Sequence, residues 1–296
     1  MLAPRKRVTV IVNPVSGGGR GRDQGREVAR LLSSAGCEVA QVETEARGHA
    51  ETLSREAVLR GTDVVLACGG DGTVSEVVQG LAGTQTALAV LPMGTANVLG
   101  HELELGRTAQ KAAALVLRGK RRRLDLGRCA GRYLICMGSV GFDAFVTKQV
   151  ADVRETTFSY LSYVGVTWQA IRKYRFEPLR VRVDGVALDA TVYHLIIGNL
   201  RGYGGPFMMT PRAKPDDGLL DGCAFCSPGR LWLAAYMAAT IVHVHHRYAN
   251  VLNLRGRTFE VDADGPAPVQ LDGDFIGHTP VTFEIVPDAV AVLSNR

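Results

Sequence analysis

Apolar and polar positions in the first third of the chain alternate between two periods. Short β-branched and aliphatic runs at residues 8–12, 39–42, 63–68 and 87–91 each read as a buried strand. Between them apolar residues recur at helical spacing. Val28, Leu31, Leu32 and Ala35 end near Gly36, Leu53 and Ala57 mark a second helix, and Val74, Val77, Val78 and Leu81 form one stripe. Residues 108–117 continue as a further helix. Strand-helix-strand units in series predict a parallel sheet carrying helices.

From about residue 124 the rhythm changes. Strand-like runs at 133–137, 179–183 and 191–198 follow one another with turns between them, as in an antiparallel domain. A helical segment over 158–174, with aromatics at Tyr160, Tyr163, Trp168 and Tyr174, interrupts them, and residues 281–293 read as strands again. The expected fold is α/β: an N-terminal parallel-sheet nucleotide-binding domain (1–124) plus a C-terminal mostly antiparallel β-sandwich domain (125–296). The last strands are free to return to the first domain.

Composition narrows the classes. With 46% apolar residues in 296, the chain can bury a full core. The apolar run behind the basic start is too short for a signal peptide. Residues 231–244 fall short of the roughly 20 needed to span a membrane and end in His243, His245, His246 and Arg247, so they read as a core helix with a basic surface end. Six scattered cysteines fit a reducing compartment, and Cys223-Ala-Phe-Cys226 lacks the second pair a zinc site would need. A net charge of +5 favours anionic partners. The densest basic run, Arg118 and Lys120 to Arg123, has no interleaved aromatics for base stacking, so it reads as a surface turn or a membrane-facing patch and not as a nucleic-acid site.

Three turns share one design, a strand ending in small residues and opening toward a helix: Asn13-Pro-Val-Ser-Gly-Gly-Gly19, Gly69-Gly-Asp-Gly-Thr73 and Pro92-Met-Gly-Thr-Ala-Asn97. On a parallel sheet all three lie at the carboxyl edge, where ligands bind. Glycines let backbone amides approach phosphate oxygens, and a helix N-terminus adds a favourable dipole. Ser16, Asp71, Thr73, Thr95 and Asn97 add polar groups. The first turn lacks the Gly-Lys-Ser/Thr end of a Walker motif, and none has dinucleotide G-x-G-x-x-G spacing.

The ordered set Asn13-Pro-Val-Ser-Gly17, Gly69-Gly-Asp-Gly-Thr73 with Glu76, Leu91-Pro-Met-Gly-Thr-Ala-Asn97, Gly141-Phe-Asp143, Pro215-Asp-Asp-Gly-Leu219 and Asp272-Gly-Asp274 resembles the diacylglycerol kinase catalytic family, which includes sphingosine and ceramide kinases. The resemblance runs nearly the whole chain. It implies ATP against Asn13, Ser16, Gly17, Thr44, Gly69, Gly70, Asp71, Gly72, Thr73, Val74, Ser75, Thr95 and Asn97. It implies a structural Mg2+ at Asp217 with the carbonyls of Lys214 and Leu219, and an active site in the cleft between two domains.

Phosphoryl transfer needs an in-line hydroxyl, charge compensation and a carboxylate to take the proton. The resemblance gives the base as the acid of an Asp-Gly-Glu motif, matched here by Asp274. The acid is one methylene shorter than the family's Glu. Asp71 would orient magnesium and the phosphates, with Asp125 in the same network; as plainer alternatives, Asp71 caps a helix and Asp125 ends a strand. The expected protein is a cytoplasmic, reversibly membrane-associated lipid kinase using ATP and Mg2+ on a lipid substrate at an anionic membrane surface, with no nucleic acid partner. A homodimer is left open. The rivals are a soluble-substrate kinase of the NAD kinase kind and a lipid-binding regulatory protein without turnover.

Overall fold

The computed structural model describes residues 5–153, 167, 169–204 and 207–295, and the chain divides into two compact units. The first comprises residues 1–126 and 286–296, the second residues 127–285.

In the first unit, β1 (Arg7–Val12), α1 (Gly21–Ser34), β2 (Glu38–Glu43), α2 (His49–Leu59), β3 (Val64–Gly69), α3 (Asp71–Leu81), β4 (Ala87–Pro92), α4 (Val98–Glu102) and α5 (Ala109–Arg118) follow in order. The strands pair in parallel as β2-β1-β3-β4. β1 is the switch point, with its neighbours reached in opposite directions, and that is where an open α/β sheet leaves a crevice at its carboxyl ends. β1 and β3 are buried on both faces, which is why they read as near-continuous apolar runs. Val8, Val10 and Val12 pack with Val28 and Leu32 of α1 and Ala112 and Val116 of α5 in one core. Each Val or Leu side chain buried in this way is worth about 1.5–3 kcal/mol. On other contacts, α2 packs on α3.

The basic run at 118–123 is not the turn that its charge suggested. Lys120 opens β5 (Lys120–Cys129), whose exposed, cationic start gives way to a buried stretch over residues 124–127. Arg123 Nε donates to the Asp288 carbonyl at 2.8 Å.

The second unit contains β6 (Arg132–Leu134), β7 (Met137–Val140), α6 (Phe142–Val153), β8 (Leu179–Val183), β9 (Val186–Ala187), β10 (His194–Gly198), β11 (Gly202–Tyr203), β12 (Phe207–Met208), β13 (Leu220–Phe225), α7 (Arg230–Ile241), β14 (Val251–Gly256), β15 (Thr258–Ala263), β16 (Pro268–Leu271) and β17 (Asp274–His278). The final strand, β18 (Val281–Ser294), is one element where separate strands were expected. Its start pairs antiparallel with β15, and Ala291 and Val292 pair in parallel with β4 in the first unit.

β14-β13-β10-β7-β16-β17 form an antiparallel sheet. Leu195, Ile197 and Leu271 from it meet Val181, Phe259, Val261 and Phe283 from the β18-β15-β8 layer, which is the core of a sandwich. Phe142 and Val146 of α6 cluster with Ala170, Tyr174 and Leu233 of α7. Most of the helix expected over 158–174 lies outside the described residues; 167 and 169–173 are helical. The single run expected at 133–137 is broken, because the Asp272 carboxylate takes the amides of Ile135, Cys136 and Met137 at 2.8–2.9 Å. Among the described residues no helix is long and apolar enough to cross a membrane.

Candidate active site

The three glycine turns of the first unit meet. Asn13 Nδ2 donates to Thr73 Oγ1 at 3.2 Å, and the Asn13 amide donates to the Cys68 carbonyl at 2.9 Å, carrying the end of β1 alongside β3. A Cβ on Gly94 would stand 2.7 Å from Gly70 Cα, so glycine lets these two backbones touch, and one on Gly17 would stand 3.0 Å from the end of the Met93 side chain. Gly17, Gly18 and Gly19 hold φ of 65°, 70° and 87°, a run only glycine adopts readily.

α3 starts without a side-chain cap, and a Cβ on Gly72 in its first turn would meet nothing within 4 Å. Its leading amides are thus donors at an open surface, the arrangement that receives a phosphate. These observations fit a nucleotide's phosphates.

Asp71 is committed to a neighbouring turn. Its carboxylate accepts from Asn97 N at 2.7 Å and Val98 N at 2.6 Å, capping α4. Asn97 is buried in the left-handed region, and both ends of its side chain bond Gly94, so it closes the 94–97 turn. Glu76 caps α2 by accepting from Gly48 N and Ala50 N. The buried Asp125 carboxylate accepts from Asp288 N at 2.8 Å, joining β5 to β18. Val74 is a core side chain, Thr95 is exposed, and the Thr44 amide donates to Val12 at the end of β2. Ser16 donates its amide to the Asn13 carbonyl, closing the first turn.

The second unit holds a cavity of about 170 Å³. Phe142, Val146, Phe176, Phe207, Leu233 and Met237 make its wall largely apolar. Asp143, His194 and Tyr203 bring polar groups to that wall. Asp143 Oδ2 accepts from Ser139 Oγ at 2.8 Å, Tyr203 Oη at 3.0 Å and Gln270 Nε2 at 3.0 Å. A carboxylate with three donors is fixed in direction. Burial pushes the His194 pKa down against the opposing pull of Asp143.

Gln270 also accepts from Gly273 N at 2.8 Å, in the Asp272-Gly273-Asp274 turn that joins β16 to β17. Asp274 is half-buried at the start of β17.

At the expected metal turn, Asp217 Oδ1 accepts from Leu219 N at 3.2 Å, and Oδ2 pairs with Arg255. Arg255 Nε lies 3.5 Å from Oδ2 of buried Asp221, an ion pair without hydrogen-bond geometry that leaves this oxygen an orphan. Burial, ahead of the opposing Arg255 charge, raises the Asp221 pKa. These oxygen donors suit a hard cation such as Mg2+, with the Arg255 guanidinium sharing the carboxylates. Among the described residues no cluster of three or more His, Cys, Asp or Glu is arranged for a metal.

Known proteins match both units. The diacylglycerol kinase catalytic domain model matches residues 7–129, and the YegS C-terminal NAD kinase beta sandwich-like domain model matches residues 137–294. A diacylglycerol kinase of Mycobacterium tuberculosis is 31% identical over 299 residues, covering 98% of this chain and 96% of the relative. The chain belongs to the diacylglycerol kinase family. A Bacillus subtilis diacylglycerol kinase is 27% identical, covering 94% of this chain and 93% of its own. The crystal structure of a diacylglycerol kinase from Bacillus anthracis str. Sterne has the same fold, with a TM-score of 0.76 at 21% identity over 99% of this chain and 98% of that one.

As a member of this family the chain is a kinase, which implies a nucleotide donor and usually a divalent metal. The structure brings Asn13, Gly17, Gly70 and Thr73 to one place on the first unit. Asp274, Asp217 and the cavity belong to the second. Sequence reasoning missed Ser139 and Gln270, which hold the cavity's Asp143. Asp143, an acid inside the apolar stretch Gly141-Phe-Asp-Ala-Phe145, was the available signal. Tyr203, in β11, brings its hydroxyl to the wall.

Proposed function

We propose that this kinase uses ATP and magnesium to phosphorylate the hydroxyl of a membrane lipid with diacylglycerol-like or sphingoid character. The apolar cavity with one firmly held carboxylate carries the reading, because an acceptor with long hydrocarbon and a small polar end is what such a wall complements. A nicotinamide dinucleotide would find almost none of the polar partners it needs there, which disfavours the NAD kinase alternative.

In this reading the amides at the start of α3, with Asn13 and Thr73, hold the phosphates. The cavity takes up apolar lipid chain, while Asp143 and Tyr203 orient the polar end. A carboxylate oxygen of Asp274 accepts the proton as the lipid oxygen bonds to the γ-phosphorus and the bond to the ADP oxygen breaks. Magnesium, when bound, offsets phosphate charge, and Asp217 with the carbonyls of Lys214 and Leu219 would hold a second, structural ion. The protein works at the surface of an anionic membrane.

The test is transfer of labelled γ-phosphate from ATP to a lipid panel and to NAD, with the parent protein and Asp274→Asn. Label in lipid that disappears in the variant supports the kinase and its base. Label in NAD alone overturns the lipid acceptor. Absence of label alongside measurable ATP binding overturns turnover and leaves a regulatory protein.

A further inference from the structure

Helix α7 is apolar on both of its faces. Leu233, Tyr236, Met237 and Thr240 point inward and line the cavity. Outward, Leu231 is 88% exposed, Trp232 44%, Ile241 61% and Val242, just past the helix, 63%. The core helix expected here is therefore only half a core helix. Its sole charged residue is Arg230. A contiguous exposed face of this kind, on an otherwise well-packed unit, marks a surface that another phase or molecule covers.

Charge identifies the cover. Residues 222–254 contain Arg230 and Arg247 and not one Asp or Glu. The Arg230 guanidinium donates to the Arg172 carbonyl at 2.7 Å, bringing the exposed Arg172-Lys173 segment beside the helix. Exposed Arg247 follows at its far end. The nearest acid along that neighbouring segment, Glu177, sits against Gly265. Apolar side chains ringed by cations, with a tryptophan at the boundary, match the interface of an anionic bilayer. Trp232 stacks on Tyr236 at 5.7 Å, so it presents a stiff ring. Ile241 belongs to both faces, lining the cavity and standing exposed, so the cavity opens beside this surface.

We propose that the outward face of α7, with Arg230, Arg172, Lys173 and Arg247 around it, is where this kinase docks on an anionic phospholipid bilayer. The purpose of docking rests on the lipid-kinase reading, but docking itself needs no turnover.

Vesicle flotation tests it, with phosphatidylcholine vesicles with and without phosphatidylglycerol. The parent protein should float with the anionic vesicles and lose binding as salt rises. Leu231→Ser combined with Val242→Ser should lower partitioning at least about tenfold, and Arg230→Gln about fivefold, with anionic vesicles only. Thermal unfolding of each variant and phosphate transfer to a water-soluble short-chain diacylglycerol should match the parent. Flotation equal in parent and double variant, or no flotation of the parent, overturns the proposal. So does a parent dimer seen by light scattering that the double variant splits without any vesicle binding. If short-chain transfer fails in the parent while flotation behaves as expected, the lipid-kinase reading falls and the docking surface stands.

Discussion

Gln270 holds the Asp143 carboxylate with its amide nitrogen and the Gly273 amide with its carbonyl oxygen, at 3.0 and 2.8 Å. A single, fully buried side chain thus fixes the acid of the cavity wall and the turn next to Asp274. Gln270→Leu keeps the volume but strips both partners of a bond. Asp143 keeps Ser139 and Tyr203 as donors and the exposed Gly273 amide can turn to water, so the loss is that of the bonds themselves, about 1–3 kcal/mol in denaturant unfolding. Gln270→Glu places a second carboxylate 3 Å-class from Asp143, so it should be destabilised at neutral pH and recover as pH falls. A Leu variant as stable as the parent would show that the two bonds carry no weight.

Asp143→Asn tests the polar end of the cavity. The amide keeps the shape and one acceptor oxygen but loses the charge that Ser139, Tyr203 and Gln270 address. A charge-assisted bond to the acceptor is worth about 1.5–3 kcal/mol, which corresponds to roughly 10- to 100-fold in acceptor KM. The KM for ATP should stay at the parent value. A fall in kcat with acceptor KM untouched would place Asp143 outside acceptor recognition.

The first unit was legible because its signals are local. β3 and β4 are unbroken apolar runs, β1 is interrupted past Arg7 only by buried Thr9, and each glycine turn follows its strand directly. The contacts that join those turns, such as Gly70 against Gly94 and Asn13 with Thr73, follow from the parallel order of the sheet. The cavity was not legible. Phe142, Tyr203, Phe225 and Met237 come from four elements, and singly each looks like ordinary core. His245 shows the same limit: its place among His243 and His246 suggested a basic surface, yet it is fully buried, with Nε2 on the Met209 carbonyl at 3.0 Å. Charge along a sequence does not reveal which side of a short turn faces Phe225, whose ring stacks with the imidazole.

That burial has a pH signature. Desolvation is the largest cause lowering the pKa of His194, His245 and His278 in the folded protein. The unfolded chain binds a proton at each near pH 6.5, and the folded one only at lower pH. The stability they confer is therefore present above about pH 6.5 and is lost as pH falls from there toward their folded values. His245 Nδ1 has no hydrogen-bond partner and no compensation for a charge. His245→Gln, which retains a group for Met209, should lose less stability between pH 7 and 5 than the parent does. Identical slopes in denaturant unfolding across that range would contradict it.

Glycines in the phosphate turns separate fold from ligand. At Gly94 an added Cβ would press within 2.7 Å of the Gly70 backbone, so Gly94→Ala must part the two turns and should cost about 1–3 kcal/mol. At Gly72 the same methyl meets nothing in the protein and sits in the first turn of a helix. Alanine there should leave stability unchanged or raise it by about 0.5–1 kcal/mol. The methyl would instead occupy the open surface over the α3 amides, so nucleotide affinity should fall at least about tenfold by a glycine-specific loss of close backbone approach. Calorimetric titration with ATP and magnesium, paired with thermal unfolding, reads both quantities in one variant. Full ATP affinity in a stable Gly72→Ala protein would move the phosphates away from α3, whereas weakened binding in an unfolding-competent Gly94→Ala alone would say only that the turns must touch.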